Sequence, residues 1–212
     1  ASGSLWVTTY DYRLYRFDVD TEDFMPVPSG LEGLESVNAK VERLHCDAEG
    51  GVWAAFSGLG LLNIRQDMSY VLYSETSGHQ IGKEVSSIYE DSSGNIYAVS
   101  EAGITSVREG QVSLLSRNED VLGFAEKDGI LYFVTPEQLV AVDMETREQK
   151  SSDLSVAGAG EATSIIVSGG CLYVGFRNDA VASVDPRSLE LSVRRTDMGR
   201  VRYLFPDPDG LL

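Results

Sequence analysis

Apolar residues fall in short runs of four to six, rich in Val, Ile, Tyr and Phe, between clusters of Gly, Asp, Ser and Asn. That punctuation predicts strands joined by turns. No segment sustains a 3.6-residue apolar period with capping signals, so almost no helix is expected.

The runs repeat. Trp6, Trp53, Tyr97, Tyr132 and Tyr173 each follow an aliphatic residue, and each has a glycine three residues earlier, at Gly3, Gly50, Gly94, Gly129 and Gly170. The spacings are 47, 44, 35 and 41 residues, and an acid stands six residues before three of the aromatics, at Asp47, Asp91 and Glu126. Upstream lie Val41/Leu44, Val85/Ile88, Val121/Phe124 and Ala162/Ile165; downstream lie Leu14/Phe17, Leu61/Ile64, Ile104/Val107, Leu139/Val142 and Val181/Val184. A looser third segment follows, as at Tyr70 to Tyr73 and Val112 to Leu115. Each unit therefore reads as strand, Asp-x-x-Gly turn, strand, loop, strand, turn, strand. The aspartate can bond the backbone two residues on, and glycine supplies positive φ.

A four-stranded unit of about 40 residues with an aromatic signature is the pattern of a β-propeller blade. The fold expected is all-β, a propeller of four-stranded antiparallel blades with five repeats present. Val201/Leu204 and Asp207-Pro-Asp-Gly210 begin a further unit, and Gly3-Ser4-Leu5-Trp6 carries on the same pattern. The expectation is that the N- and C-termini share one blade, which removes open sheet edges. The single domain 1–212 then divides into units of approximately 1–40 with 200–212, 41–84, 85–119, 120–161 and 162–199. A segment of a seven-bladed propeller is the alternative.

Val41-x-x-Leu44-x-x-Asp47-x-x-Gly50-x-Val52-Trp53 and Val85-x-x-Ile88-x-x-Asp91-x-x-Gly94-x-Ile96-Tyr97 resemble the two-component regulator propeller repeat. That repeat recurs in the periplasmic sensor region of bacterial hybrid histidine kinases and some diguanylate cyclases. The likeness is sharpest around Trp6, Trp53 and Tyr97. Ala55-Phe56, Val99-Ser100, Val134-Thr135 and Gly175-Phe176 stand where the family usually has Gly-Thr. The resemblance implies a non-catalytic sensory or ligand-binding domain, periplasmic or extracellular, in a bacterial signalling protein. Its motif is structural and transfers no catalytic residue. A structural or protein-docking propeller is the first alternative, and a propeller lyase or glycosidase the last, because nothing singles out the carboxylate pair it needs.

Charge narrows the partners. Lys and Arg number 17 against 33 Asp and Glu, a net −16, without a basic block. That disfavours nucleic acid and anionic membranes. No apolar stretch reaches the roughly 18 residues of a membrane span, and Ala1-Ser-Gly-Ser4 is not a signal peptide. His45 and His79 are the only histidines, with no His-x-x-x-His or Cys-x-x-Cys spacing, so neither a metal nor a cofactor is expected. His45 reads as a satisfied structural imidazole at a strand end, and His79 as solvent-facing in a loop. Cys46 and Cys171 fall in different units and read as two buried free thiols. The run Asp18-Val-Asp20-Thr-Glu22-Asp23 lacks the glycine and glutamate of a calcium loop and reads as a solvated hairpin turn.

Strand order puts the inter-blade loops and the loops between second and third strands on one face. That face would present Tyr10, Tyr12 and Arg13 from the first unit and Arg177, Asn178 and Asp179 from the fifth, joined by His79. Such side chains suit a small polar ligand such as a saccharide, or a protein partner. Homodimerisation in the full-length context is a further expectation.

Overall fold

The computed structural model describes residues 5–9, 13–27, 40–155, 159–197 and 199–205. The chain separates into two compact units, Ala1–Glu119 and Asp120–Leu212.

The first unit holds three antiparallel sheets. A three-stranded sheet runs β1 (Leu5–Thr8), β2 (Leu14–Asp18), β3 (Asp23–Pro26). Two four-stranded sheets follow in simple meander order. One comprises β4 (Lys40–Cys46), β5 (Val52–Ser57), β6 (Gly60–Ile64) and β7 (Tyr70–Tyr73); the other β8 (Ser87–Glu90), β9 (Ile96–Ser100), β10 (Gly103–Arg108) and β11 (Gln111–Ser116). The second unit repeats the plan twice. Its sheets are β12 (Gly123–Lys127), β13 (Ile130–Val134), β14 (Gln138–Asp143), β15 (Gln149–Asp153), and β16 (Ala162–Ser168), β17 (Cys171–Phe176), β18 (Ala180–Val184), β19 (Leu191–Arg195). Among the described residues the one helical piece is a 3-10 turn at Glu75–Ser77.

The middle strands are continuous apolar runs because both their faces are covered. In β5, Trp53 and Ala55 pack with Leu61, Tyr73, Ile96 and Ala98 toward the β8–β11 sheet. The alternate residues Ala54 and Phe56 pack with Leu62 and Ile64, against Trp6 and Leu14 of the first sheet. Alternation of side chains across the pleat thus feeds two cores from one strand. In the second unit, Tyr132, Leu139, Leu172 and Phe176 share one core between its two sheets.

The six-residue interval from acid to aromatic has a geometric cause. Trp53 Nε1 donates to Asp47 Oδ2 at 2.8 Å, and the Gly51 amide donates to Oδ1 at 2.6 Å. Asp91 accepts from the Ser93 and Asn95 amides, from Asn95 Nδ2, and from Tyr97 Oη at 3.0 Å. Gly50, Gly94, Gly129 and Gly170 take φ of 82°, 79°, 76° and 75°, the left-handed conformation that closes each turn. Where Glu126 stands at the acid position, the Tyr132 hydroxyl donates instead to Pro186 O at 3.1 Å.

Two expectations are corrected. Cys46 and Cys171 are free but exposed, because each sits at a strand end beside its turn, where solvent reaches it. The inner strand expected at Val201/Leu204 is not formed by the described residues: positions 201–205 carry no ladder pairing, and Tyr203 and Phe205 are 69% and 79% exposed. Residues 206–212, including Asp207 and Gly210, lie outside the described residues.

Candidate functional site

The loops that precede each first strand are stitched to the turns between second and third strands. In the first unit, Gly58 N donates to Lys83 O at 2.9 Å and Val85 N to Phe56 O at 2.9 Å, while the Ser57 hydroxyl donates to the Glu84 carboxylate. From the next sheet, Glu101 accepts the amides of Lys83 and Glu84 at 3.0 and 2.9 Å, one on each carboxylate oxygen. A Cβ at Gly82 would lie 2.9 Å from Glu101 Oε1, so glycine is what lets the carboxylate approach.

The second unit uses the same stitching with different chemistry. Leu154 N donates to Glu137 O at 2.7 Å, and Ala162 N to Pro136 O at 2.9 Å. Arg177 N donates to Glu161 O, and its guanidinium meets Glu161 Oε2 at 2.6 Å. With both side chains more than half exposed, water screens this pair to about 0.2–1 kcal/mol, and a ligand can compete for either partner. Asn178 N donates to Ala159 O at 3.2 Å, and its side-chain amide lies over Gly160. Asp179 sits at φ 51°, and its carbonyl accepts from Thr196 N at 2.8 Å.

The predicted binding residues therefore fare differently. Tyr10 and Tyr12 lie outside the described residues. Arg13 is exposed at the start of β2, its amide bonded to Thr9 Oγ1 at 3.1 Å. His79 is not solvent-facing but half-buried. Ser74 caps the 3-10 turn and accepts the His79 amide on its carbonyl, folding the imidazole onto Tyr73 at 5.0 Å. Tyr73 stacks in turn on Trp53 at 5.7 Å, and burial raises its hydroxyl pKa above the ordinary value of 10.0. Arg177, Asn178 and Asp179 share one turn, the first two exposed and Asp179 half-buried. Glu84, Glu101 and Glu161, which hold the loops in place, escaped the sequence reading. The available signal was a charged residue directly after the second strand in two units, Glu101 and Arg177.

His45 is a satisfied imidazole, as expected. Its Nε2 meets Glu90 Oε2 at 2.6 Å, while Glu90 Oε1 accepts the Ala48 amide, linking β8 to β4 and its turn. Asp18 Oδ1 accepts the Asp20 and Thr21 amides inside the β2–β3 hairpin, the solvated turn predicted for that acidic run. Among the described residues no three His, Cys, Asp or Glu gather as metal ligands, and no helix is long and apolar enough to cross a membrane.

No protein-family model matches the chain, and no curated protein matches it. Solved structures do. The extracellular domain of one hybrid two-component system from B. thetaiotaomicron is 18% identical, with a TM-score of 0.68 over 97% of this chain and 30% of its own. A second from the same organism is 16% identical, with a TM-score of 0.65 over 90% of this chain and 28% of its own. PorZ of Porphyromonas gingivalis, a surface component of the type-IX secretion system, is 11% identical, with a TM-score of 0.67 over 91% and 27%. The chain spans less than a third of the length of each of these structures. Its fold is an all-β array of propeller blades like that of the extracellular domains of hybrid two-component systems, in agreement with the repeat that Val41–Trp53 and Val85–Tyr97 resemble.

Proposed function

We propose that this chain is a non-catalytic sensory propeller segment, the extracytoplasmic part of a bacterial signalling protein, whose loop face recognises a small polar ligand. The observation that carries the reading is the match, over 97% of the chain, to the fold of a hybrid two-component extracellular domain. The stitched loops support it physically. Turns held by backbone hydrogen bonds and by Glu101 are pre-ordered, so little conformational entropy is lost when a ligand docks on them. The exposed Arg177–Glu161 pair offers an anion and a cation to such a ligand.

A thermal-shift screen with small oligosaccharides and dicarboxylates tests the proposal. At least one compound raises the melting temperature, and Arg177→Ala diminishes that rise. A panel in which nothing shifts the melting temperature overturns it. That result would favour a structural or protein-docking propeller, the reading supported by the engagement of Arg177 with Glu161 and of His79 with Tyr73 inside the fold.

A further inference from the structure

Arg16 is a cation with few acceptors. It stands mid-way along β2, between Trp6 of β1 and Met25 of β3 in the ladder, on the face that packs toward the β4–β7 sheet. Its Nε is buried without a hydrogen-bond partner, and its Nη1 donates to Met68 Sδ at 3.2 Å. Asp18, two residues along, feels the charge of Arg16, yet Asp18 Oδ1 is taken by the amides of Asp20 and Thr21. No ion pair joins Arg16 to a carboxylate among the described residues. A guanidinium carries five N–H donors and a thioether is a weak acceptor, so this cation is held by less than it can use.

The β6–β7 turn is what brings Met68 to Arg16. Arg65 N donates to Ser69 O at 2.8 Å, Met68 N to Arg65 O at 3.0 Å, and Asp67 Oδ1 accepts the Ser69 amide at 2.9 Å. Held there at φ 66°, Met68 packs on the core that Trp6 and Leu14 also cover. The residue is half-buried rather than sealed, so solvent and small solutes reach it. Oxidation of methionine to the sulfoxide ordinarily disrupts packing, because a polar oxygen is set among apolar groups. At Met68 that oxygen would meet a charged donor already in place.

We infer that Met68 is a modification site for hydrogen peroxide or a like two-electron oxidant, and that Arg16 stabilises the sulfoxide formed. A lone pair on Met68 Sδ attacks one peroxide oxygen; the S–O bond forms as the O–O bond breaks. The proton of the transferred oxygen passes to the departing hydroxide, which leaves as water. Sulfur loses two electrons and the peroxide gains them. The sulfoxide oxygen then accepts from Arg16 Nη1 the hydrogen bond that sulfur accepted weakly, and charge-assisted bonds are the strong ones. Oxidation thereby tightens the contact between the β1–β3 and β4–β7 sheets, the reverse of its usual effect.

The test uses the full chain in a Met25→Leu background, because Met25 is the ladder partner of Arg16 and is 55% exposed. Folded protein is treated with hydrogen peroxide, the oxidised positions are mapped by peptide mass spectrometry, and melting temperature is read before and after. The Met68 peptide should gain one oxygen atom. Relative to a Met68→Leu variant treated alike, the oxidised protein should melt about 2–4 °C higher, the shift that one added hydrogen bond gives a chain of this length. Methionine sulfoxide reductases should undo the rise. In Arg16→Gln the contribution of Met68 oxidation should change sign and lower the melting temperature. A second route needs no oxidant, since Met68→Gln places a permanent acceptor oxygen at the site. The melting-temperature difference between Met68→Gln and Met68→Leu should be about 2–4 °C more favourable with Arg16 than in Arg16→Gln. A Met68 that gains no oxygen while the protein is folded overturns the site. So does a fall in melting temperature on Met68 oxidation that is equal with Arg16 and in Arg16→Gln, or a Met68→Gln effect that ignores Arg16.

Discussion

Four donors converge on Asp91, which is only 5% exposed: two amides of its own turn, the Asn95 side chain and the Tyr97 hydroxyl. Removing that carboxylate takes away the acceptor that the buried Tyr97 hydroxyl meets at 3.0 Å. Asp91→Ala should lower unfolding free energy by about 3 kcal/mol, and Tyr97→Phe by about 1 kcal/mol, read from the midpoint of urea denaturation. A loss under about 0.5 kcal/mol for Asp91→Ala would show that the latch is ornamental. The interval between acid and aromatic was visible in the sequence, but its reason was not, because the bond closes only when the Asp-x-x-Gly turn folds the second strand back. Exposure was less legible still. Cys46 and Cys171 look like core residues by type, yet their places at strand ends put them in water.

At the scale of elements, the second kind of turn is made by aspartates that accept two amides apiece. Asp18 is bonded by Thr21 and Asp20, Asp143 by Thr146 and Glu145, and Asp185 by Ser188 and Arg187. Backbone hydrogen bonds, from Thr21, Thr146 and Ser188 foremost, hold all three carboxyls below their ordinary value of 3.8. A depressed folded value fixes the sign. Their contribution is complete above 3.8 and drains away as pH falls through the lower folded values. Melting temperature should therefore decline below about pH 4, and the triple change Asp18→Asn, Asp143→Asn, Asp185→Asn should flatten that decline, since asparagine keeps an acceptor and loses the titration. An unchanged slope in the triple variant would remove these turns from the acid response. Meander order and strand positions were readable from apolar runs and Gly/Asp punctuation. The bulges at Val41/Arg43, Ile104/Thr105 and Ala162/Ser164 were not, because a register slip depends on the partner strand.

For the molecule as a whole, charge is the dominant long-range quantity. A net −16 on 212 residues repels itself, and that repulsion acts against any compact state. Raising ionic strength from about 0.01 M to about 0.15 M shortens the screening length from roughly 30 Å to roughly 8 Å. Calorimetry should accordingly record a rise in melting temperature over that range, whereas a flat or falling curve would mean that local pairs such as Arg177–Glu161 outweigh the global field.

The sequence by itself determined the repeat, the four-stranded unit and its turn chemistry, because those depend on residues within a few positions of one another. The resemblance to a sensor repeat came from the same local motifs. Tertiary structure decided what the loop-face residues touch. Whether Arg177 is open or paired with Glu161, whether His79 faces water or Tyr73, and whether Asp179 finds a donor all turn on segments brought together by folding. Periodicity reports which way a side chain points along its own strand. What it meets there is set by a neighbouring segment, and nothing in a local pattern encodes that neighbour.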